Sequence, residues 1–105
     1  MERTYITLIQ LDEYMASDFV MPGRRLILKK EPDHLDDEAI AVYSPHDTKF
    51  GIVANSSDTV AHGTHSAGYI YRDFQNETAC MVRFRLGDMA IAELMEEETV
   101  HEEIT

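Results

Sequence analysis

Cysteine is almost absent: Cys80 is the only one in 105 residues. A single thiol excludes an internal disulfide framework and any zinc or iron–sulfur site built on several cysteines, and it suits a reducing compartment. No run approaches the 18 or more apolar residues of a membrane-spanning helix, and the opening Met1-Glu2-Arg3-Thr4 lacks the basic and apolar regions of a secretory signal. A cytoplasmic protein without membrane contact is therefore expected. Cations are scarce too, with nine Lys and Arg against twenty Asp and Glu and a formal net charge of −11 at pH 7. Such a field repels polyanions at long range, because non-specific nucleic-acid affinity comes from basic groups that displace counterions.

Motifs for catalysis are also missing. There is no phosphate-cradling glycine loop and no Gly-x-Ser-x-Gly nucleophile motif. Cys80 lies in the apolar run Ala79 to Val82 and reads as a small buried hydrophobe. No enzyme activity and no cofactor are expected. The spacing of His62 and His65 suits metal ligands on one helical face, but Gly63 weakens a helix there and no Cys or Glu stands nearby to complete a metal site. Asp33, Asp36, Asp37 and Glu38 lack the ligand order and the turn glycine of a calcium loop.

What is present is a body able to form a core. Hydrophobic residues make up 44% of the chain, and four Phe and five Tyr are spread along it, which suffices for one domain of this length without staples. We expect a domain over residues 1–95 and an acidic tail over residues 96–105. Glu96, Glu97, Glu98, Glu102 and Glu103, with Glu93 before them, meet no Lys or Arg in that stretch, so much of the negative charge is local.

Tyr5 to Leu11 is β-branched and aromatic, and predicts a strand. Pro22-Gly23 is a turn, and Arg24 to Lys30 predicts a second strand around Leu26, Ile27 and Leu28. Glu31 to Glu38 is polar and turn-prone and predicts an ordered loop. Ala39 to Tyr43 and Lys49 to Val53 predict a hairpin. From Asn55 to Phe74, the capping groups of Ser56, Ser57 and Asp58 and the near-helical spacing of Ala67, Tyr69, Ile70 and Phe74 predict one or two short helices. Thr78 to Leu86 and Met89 to Leu94 flank the turn pair Gly87-Asp88 as a second hairpin, with a helix competing for the last segment because of Ala90, Ala92 and Glu93. Six short strands with one helical insertion predict a mainly β protein, a small barrel or strongly bent sheet whose closure removes exposed edges.

The run Leu28-Lys29-Lys30-Glu31-Pro32-Asp33-His34-Leu35-Asp36-Asp37-Glu38-Ala39-Ile40-Ala41-Val42-Tyr43, followed by Phe50-Gly51-Ile52-Val53, resembles the core of the HIRAN family. In that family a strand ends in Arg-Glu-Pro-Asn or a similar sequence, a Tyr-Asp pair follows, Asn-Ala-Ile or Glu-Ala-Ile opens the next strand, and Ile-Gly-Tyr-Val closes the hairpin. Val53-Ala54-Asn55-Ser56, Thr59-Val60 and Ser66-Ala67-Gly68 with Tyr71 are similar to its small stand-alone bacterial members, so the resemblance extends from about Tyr5 to Leu94. It implies an oligonucleotide-binding-like, six-stranded β-barrel with one or two short helices that captures the 3′ hydroxyl end of single-stranded DNA. Rings stack on unpaired bases, a carboxylate accepts a hydrogen bond from the terminal hydroxyl, and cations hold phosphate.

The resemblance assigns Tyr14 as the stacking ring and Asp36 as the hydroxyl acceptor and puts Asn55 at a contact position, while Arg24, Lys29 and Lys30, from the only basic cluster in the chain, are the expected phosphate contacts. The chain departs from the family where Glu13 stands for Arg, Met15 for the second aromatic, Leu35 for the Tyr beside Asp36, and Ile52 and Asn55 for His and Lys. Read as residues alone, Tyr14 packs over a barrel mouth, Asp36 caps the turn before Ala39, and Arg24, Arg25, Lys29 and Lys30 are solvated strand ends. The charge balance also admits another partner: a basic, nucleic-acid-handling protein, whose groove an acidic body and tail would occupy as a nucleic-acid mimic.

Overall fold

The computed structural model describes residues 3–12 and 18–95. Six strands form an antiparallel barrel: β1 (Tyr5–Ile9), β2 (Arg25–Lys30), β3 (Ile40–Tyr43), β4 (Lys49–Val53), β5 (Glu77–Leu86) and β6 (Met89–Met95). The order round the barrel is β1-β4-β3-β2-β5-β6, closed by pairing of β6 with β1. Closure gives each strand a neighbour on both sides and so removes the long open edges of a flat sheet.

Alternation along the strands explains the core. Leu26 and Leu28 of β2 are wholly buried whereas Arg25 is exposed and Ile27 and Lys29 half-buried, the period of two expected where one face is inside. Ile6, Leu8, Val42, Val53, Cys80, Val82, Ala90 and Ala92 complete the same interior. Burial pushes the Cys80 thiol up to about 12, so it stays protonated and unreactive near neutral pH. Thr7 is the exception on β1. Its side chain is buried beneath the loop after β4, where its hydroxyl bonds that of Thr64 (2.8 Å) and accepts from the Ala61 N–H (3.0 Å).

The hairpin at Gly87-Asp88 forms as its residues demand, with Gly87 at φ 62° and Leu86 paired to Met89. Met89 to Leu94 is strand, because each neighbour, β1 and β5, binds it along its length. The first strand stops at Ile9, two residues short of the expected end, since Gln10 turns into the left-handed region at φ 63°.

The segment after β4 holds the expected short helical stretch, at its far end. Ser56 caps only a turn, accepting at its carbonyl from the Thr59 and Val60 N–H groups, and Gly63 at φ 90° ends any helical course. Helix begins later, where the Ser66 hydroxyl accepts from the Tyr69 N–H and opens α1 (Ala67–Ile70), which runs on as a 3-10 turn, Tyr71–Asp73. Ala67, Ile70 and Phe74 are buried with the core cluster. They cap the barrel end at which β2 finishes and β3 starts.

Candidate nucleic-acid interface

The polar loop between β2 and β3 is built on side chains that bond its own backbone. Asp33 Oδ1 accepts from the N–H groups of Leu35 (2.8 Å) and Asp36 (2.9 Å), and those two bonds, Asp36 foremost, hold its carboxyl below the usual aspartate range. Asp36 Oδ1 in turn accepts from the Glu38 N–H at 2.9 Å. The turn-capping role anticipated for Asp36 is therefore present.

Asp36 also reaches across the barrel end. The Asn55 amide donates to Oδ1 and Oδ2 of Asp36 at 3.3 and 3.2 Å, while Asn55 Oδ1 accepts from the Gly68 N–H at 2.8 Å. Two of the six expected contact residues are thus side by side, tied to the start of α1. A carboxylate offers about four acceptor positions, and these three bonds leave capacity for another donor. Asp36 is half-buried and its partner is a neutral amide, so its charge is oriented without being cancelled. Beside it, Leu35 is 86% exposed.

Lys29 and Lys30 separate, as successive strand residues must. Lys30 carries its ammonium over the rings of Tyr71 (4.3 Å) and Phe74 (5.0 Å) and donates to the Phe74 carbonyl at 2.6 Å; no ion pair joins it to a carboxylate of the described residues. Lys29 lies on the outer wall, bonded to Asp47 and over the Tyr43 ring at 4.6 Å, and the hydrogen bond to Asp47 raises its pKa. On the same wall Glu31 accepts from the Tyr43 hydroxyl and from Lys49 (3.1 Å). Burial works to raise the Glu31 pKa, yet these two bonds and the Lys49 charge hold it below the usual range.

Arg24 is not with Asp36. It sits before the first residue of β2, its guanidinium 4.8 Å over the Phe19 ring, whereas Lys30 ends the strand. Six strand residues rise about 20 Å, so the two mark opposite ends of the barrel. Tyr14, with Glu13 and Met15, lies outside the described residues, as does the acidic segment 96–105.

Aromatic residues not singled out as contacts stand at the rim. Tyr69 is 60% exposed and stacks on His65, ring centroids 4.0 Å apart at 12°. The helix α1 is only four residues long and turns Ala67 and Ile70 to the core, which leaves Tyr69 outside. His65 makes a parallel bridge to Ile6, and among the described residues no group of three His, Cys, Asp or Glu is placed to hold a metal ion. No helix among them is long and apolar enough to cross a membrane.

The rim therefore offers a hydrogen-bond acceptor, a stacked pair of rings with one exposed face, and a cation held between aromatic rings. No family model, curated protein or solved structure matches this chain.

Proposed function

We propose that the protein is a non-catalytic, HIRAN-like module of the cytoplasm that binds the 3′ end of single-stranded DNA at the helix-capped rim. Asp36 accepts the hydrogen bond of the terminal hydroxyl. Tyr69, backed by His65, stacks on the last base, and Lys30 meets the adjoining phosphate. The observation that carries the reading is the Asp36–Asn55 pair: a carboxylate fixed by a neutral amide has spare acceptor capacity. A hydroxyl satisfies it, whereas a phosphorylated end is repelled.

A second reading has its own support. Arg3, Lys29, Lys49, Arg83 and Arg85 each lie within ion-pair distance of a carboxylate, so the net charge of −11 is little relieved locally. An acidic body of this kind suits a basic, nucleic-acid-handling protein.

Fluorescence anisotropy with two labelled single strands, one ending in a 3′ hydroxyl and the other in a 3′ phosphate, separates them. The hydroxyl strand is expected to bind at least ~10-fold more tightly, in keeping with one hydrogen bond to a charged group, and Asp36→Ala should erase that preference. Failure of both strands to bind at low salt contradicts the DNA reading and favours the basic partner.

A further inference from the structure

From the outer wall formed by β1, β6, β5 and β2 we infer that this face is a second nucleic-acid contact, one that tracks the body of the single strand whose end the rim holds. The inference rests on the end-binding reading and extends it to residues outside the rim. One register row crosses all four strands, Tyr5 opposite Glu93, Glu93 opposite Met81, and Met81 opposite Arg25. Around this row stand three guanidiniums and one carboxylate, which two of them share. Arg83 places Nε and Nη2 on Glu93 Oε1 (2.9 and 2.6 Å), Arg3 lies 3.5 Å from the other oxygen, and no ion pair joins Arg25 to a described carboxylate. Across β2, β3 and β4, by contrast, Lys29 and Lys49 are paired with Asp47 and Glu31. On an acidic molecule, this wall carries a local cationic excess.

The same wall holds the exposed apolar residues a single strand can use. A bulge between Val82 and Phe84 leaves Arg83 and Phe84 on the outside together, with Phe84 65% and Leu86 72% exposed. A bare phenyl ring on a wall where Arg3 and Arg83 share one carboxylate and Arg25 has no ion pair among the described residues is a combination that binds unpaired bases and their phosphates without regard to sequence. The wall also joins the rim. His65, stacked on Tyr69, donates its N–H to the Tyr5 carbonyl at 2.7 Å, so a strand leaving the rim past His65 arrives on the Tyr5 row.

The test uses the full chain and a labelled oligothymidylate of about twelve nucleotides, within the range a barrel of this type covers. Phe84→Ala and, separately, Arg25→Gln are each expected to weaken binding about 10-fold while leaving the hydroxyl-over-phosphate preference intact. Arg25→Gln should also flatten the dependence of log K on log salt by about 0.7, the value for one cation on a single strand. Both side chains are exposed, and unchanged circular dichroism will confirm folding. Hydroxyl-selective binding that ignores both substitutions overturns the wall and leaves the rim reading standing. Binding that needs Phe84 and Arg25 but disregards the 3′ end does the reverse. Amide shifts at residues 83–86 induced by a glutamate-rich peptide, and not by oligothymidylate, would assign this face to an acidic protein and overturn the nucleic-acid assignment.

Discussion

Gly51→Ala is expected to destabilise the fold by about 3 kcal/mol, at the upper end of overpacking effects, and to lower the thermal midpoint by roughly 10–20 °C for a domain of this size. A β-carbon at position 51 falls 2.5 Å from the Ile9 carbonyl oxygen and 3.0 Å from Leu11 Cδ2. The first of these is backbone, in the strand that pairs with β4 through Leu8 to Val53 and Ile9 to Ile52. Relief requires parting the β1–β4 seam that closes the barrel. The backbone of Gly51 is not in the left-handed region, so the demand is for space alone. Gly68 provides the control for the same melting experiment. There the nearest obstacle is the end of the Glu38 side chain, which is exposed and free to swing aside, so Gly68→Ala should leave the midpoint nearly unchanged. Equal effects at both glycines would contradict this account of the seam.

The second large effect is expected at Leu28. It is wholly buried in the middle of β2, opposite Val42 of β3 and Thr78 of β5, and Leu28→Ala removes its transfer energy and leaves a cavity, about 2–5 kcal/mol together. Domains of this size hold only about 5–15 kcal/mol in total. Urea titration should therefore show a much lower midpoint with an unchanged slope. Where the variant remains folded, it should keep the 3′-end preference, because β2 presents Lys30 at its end and Asp36 follows in the loop, neither touching the cavity. A loss of end preference in fully folded Leu28→Ala protein would mean that the rim depends on core packing in a way the contacts do not convey.

Much of the barrel is legible in the chain because strand alternation and hairpin chemistry are local. Leu26 and Leu28 inside, with Arg25 and Lys29 outside, follow from a period of two, and Gly87-Asp88 announces its own turn. The strand order is not local: β1 must find β4 and β6, far along the chain, and nothing in its own five residues names those partners. In the segment after β4 the short helix is legible but its starting point is not, for a related reason. Ser56, Ser57 and Asp58 carry capping groups, yet Thr7 and His65 fasten the following residues to β1, and the helix waits until Ser66.

The rim divides in the same way. Asp36 and Asn55 are recognisable as polar loop residues, but their pairing across 19 positions becomes visible only once β3 and β4 have turned the chain back. Lys29 and Lys30 look like one basic pair and are split between wall and rim by the strand itself. Arg24 immediately precedes their strand, at the end opposite Lys30. Tyr69 and His65 had a signal, a spacing of four residues, but a four-residue helix leaves that face in solvent rather than in the core.

The direct observation of the rim at work is a nitrogen-15 NMR titration of the full chain, at low salt, with single strands that differ only at the 3′ terminus. The strand ending in a hydroxyl should shift the amides of Asp36, Gly68 and Tyr69 and the side-chain amide of Asn55, while the phosphate-ended strand leaves these four signals in place. Signals of Asp36 and Asn55 that stay fixed with both strands, or move equally with both, would contradict end recognition at this rim.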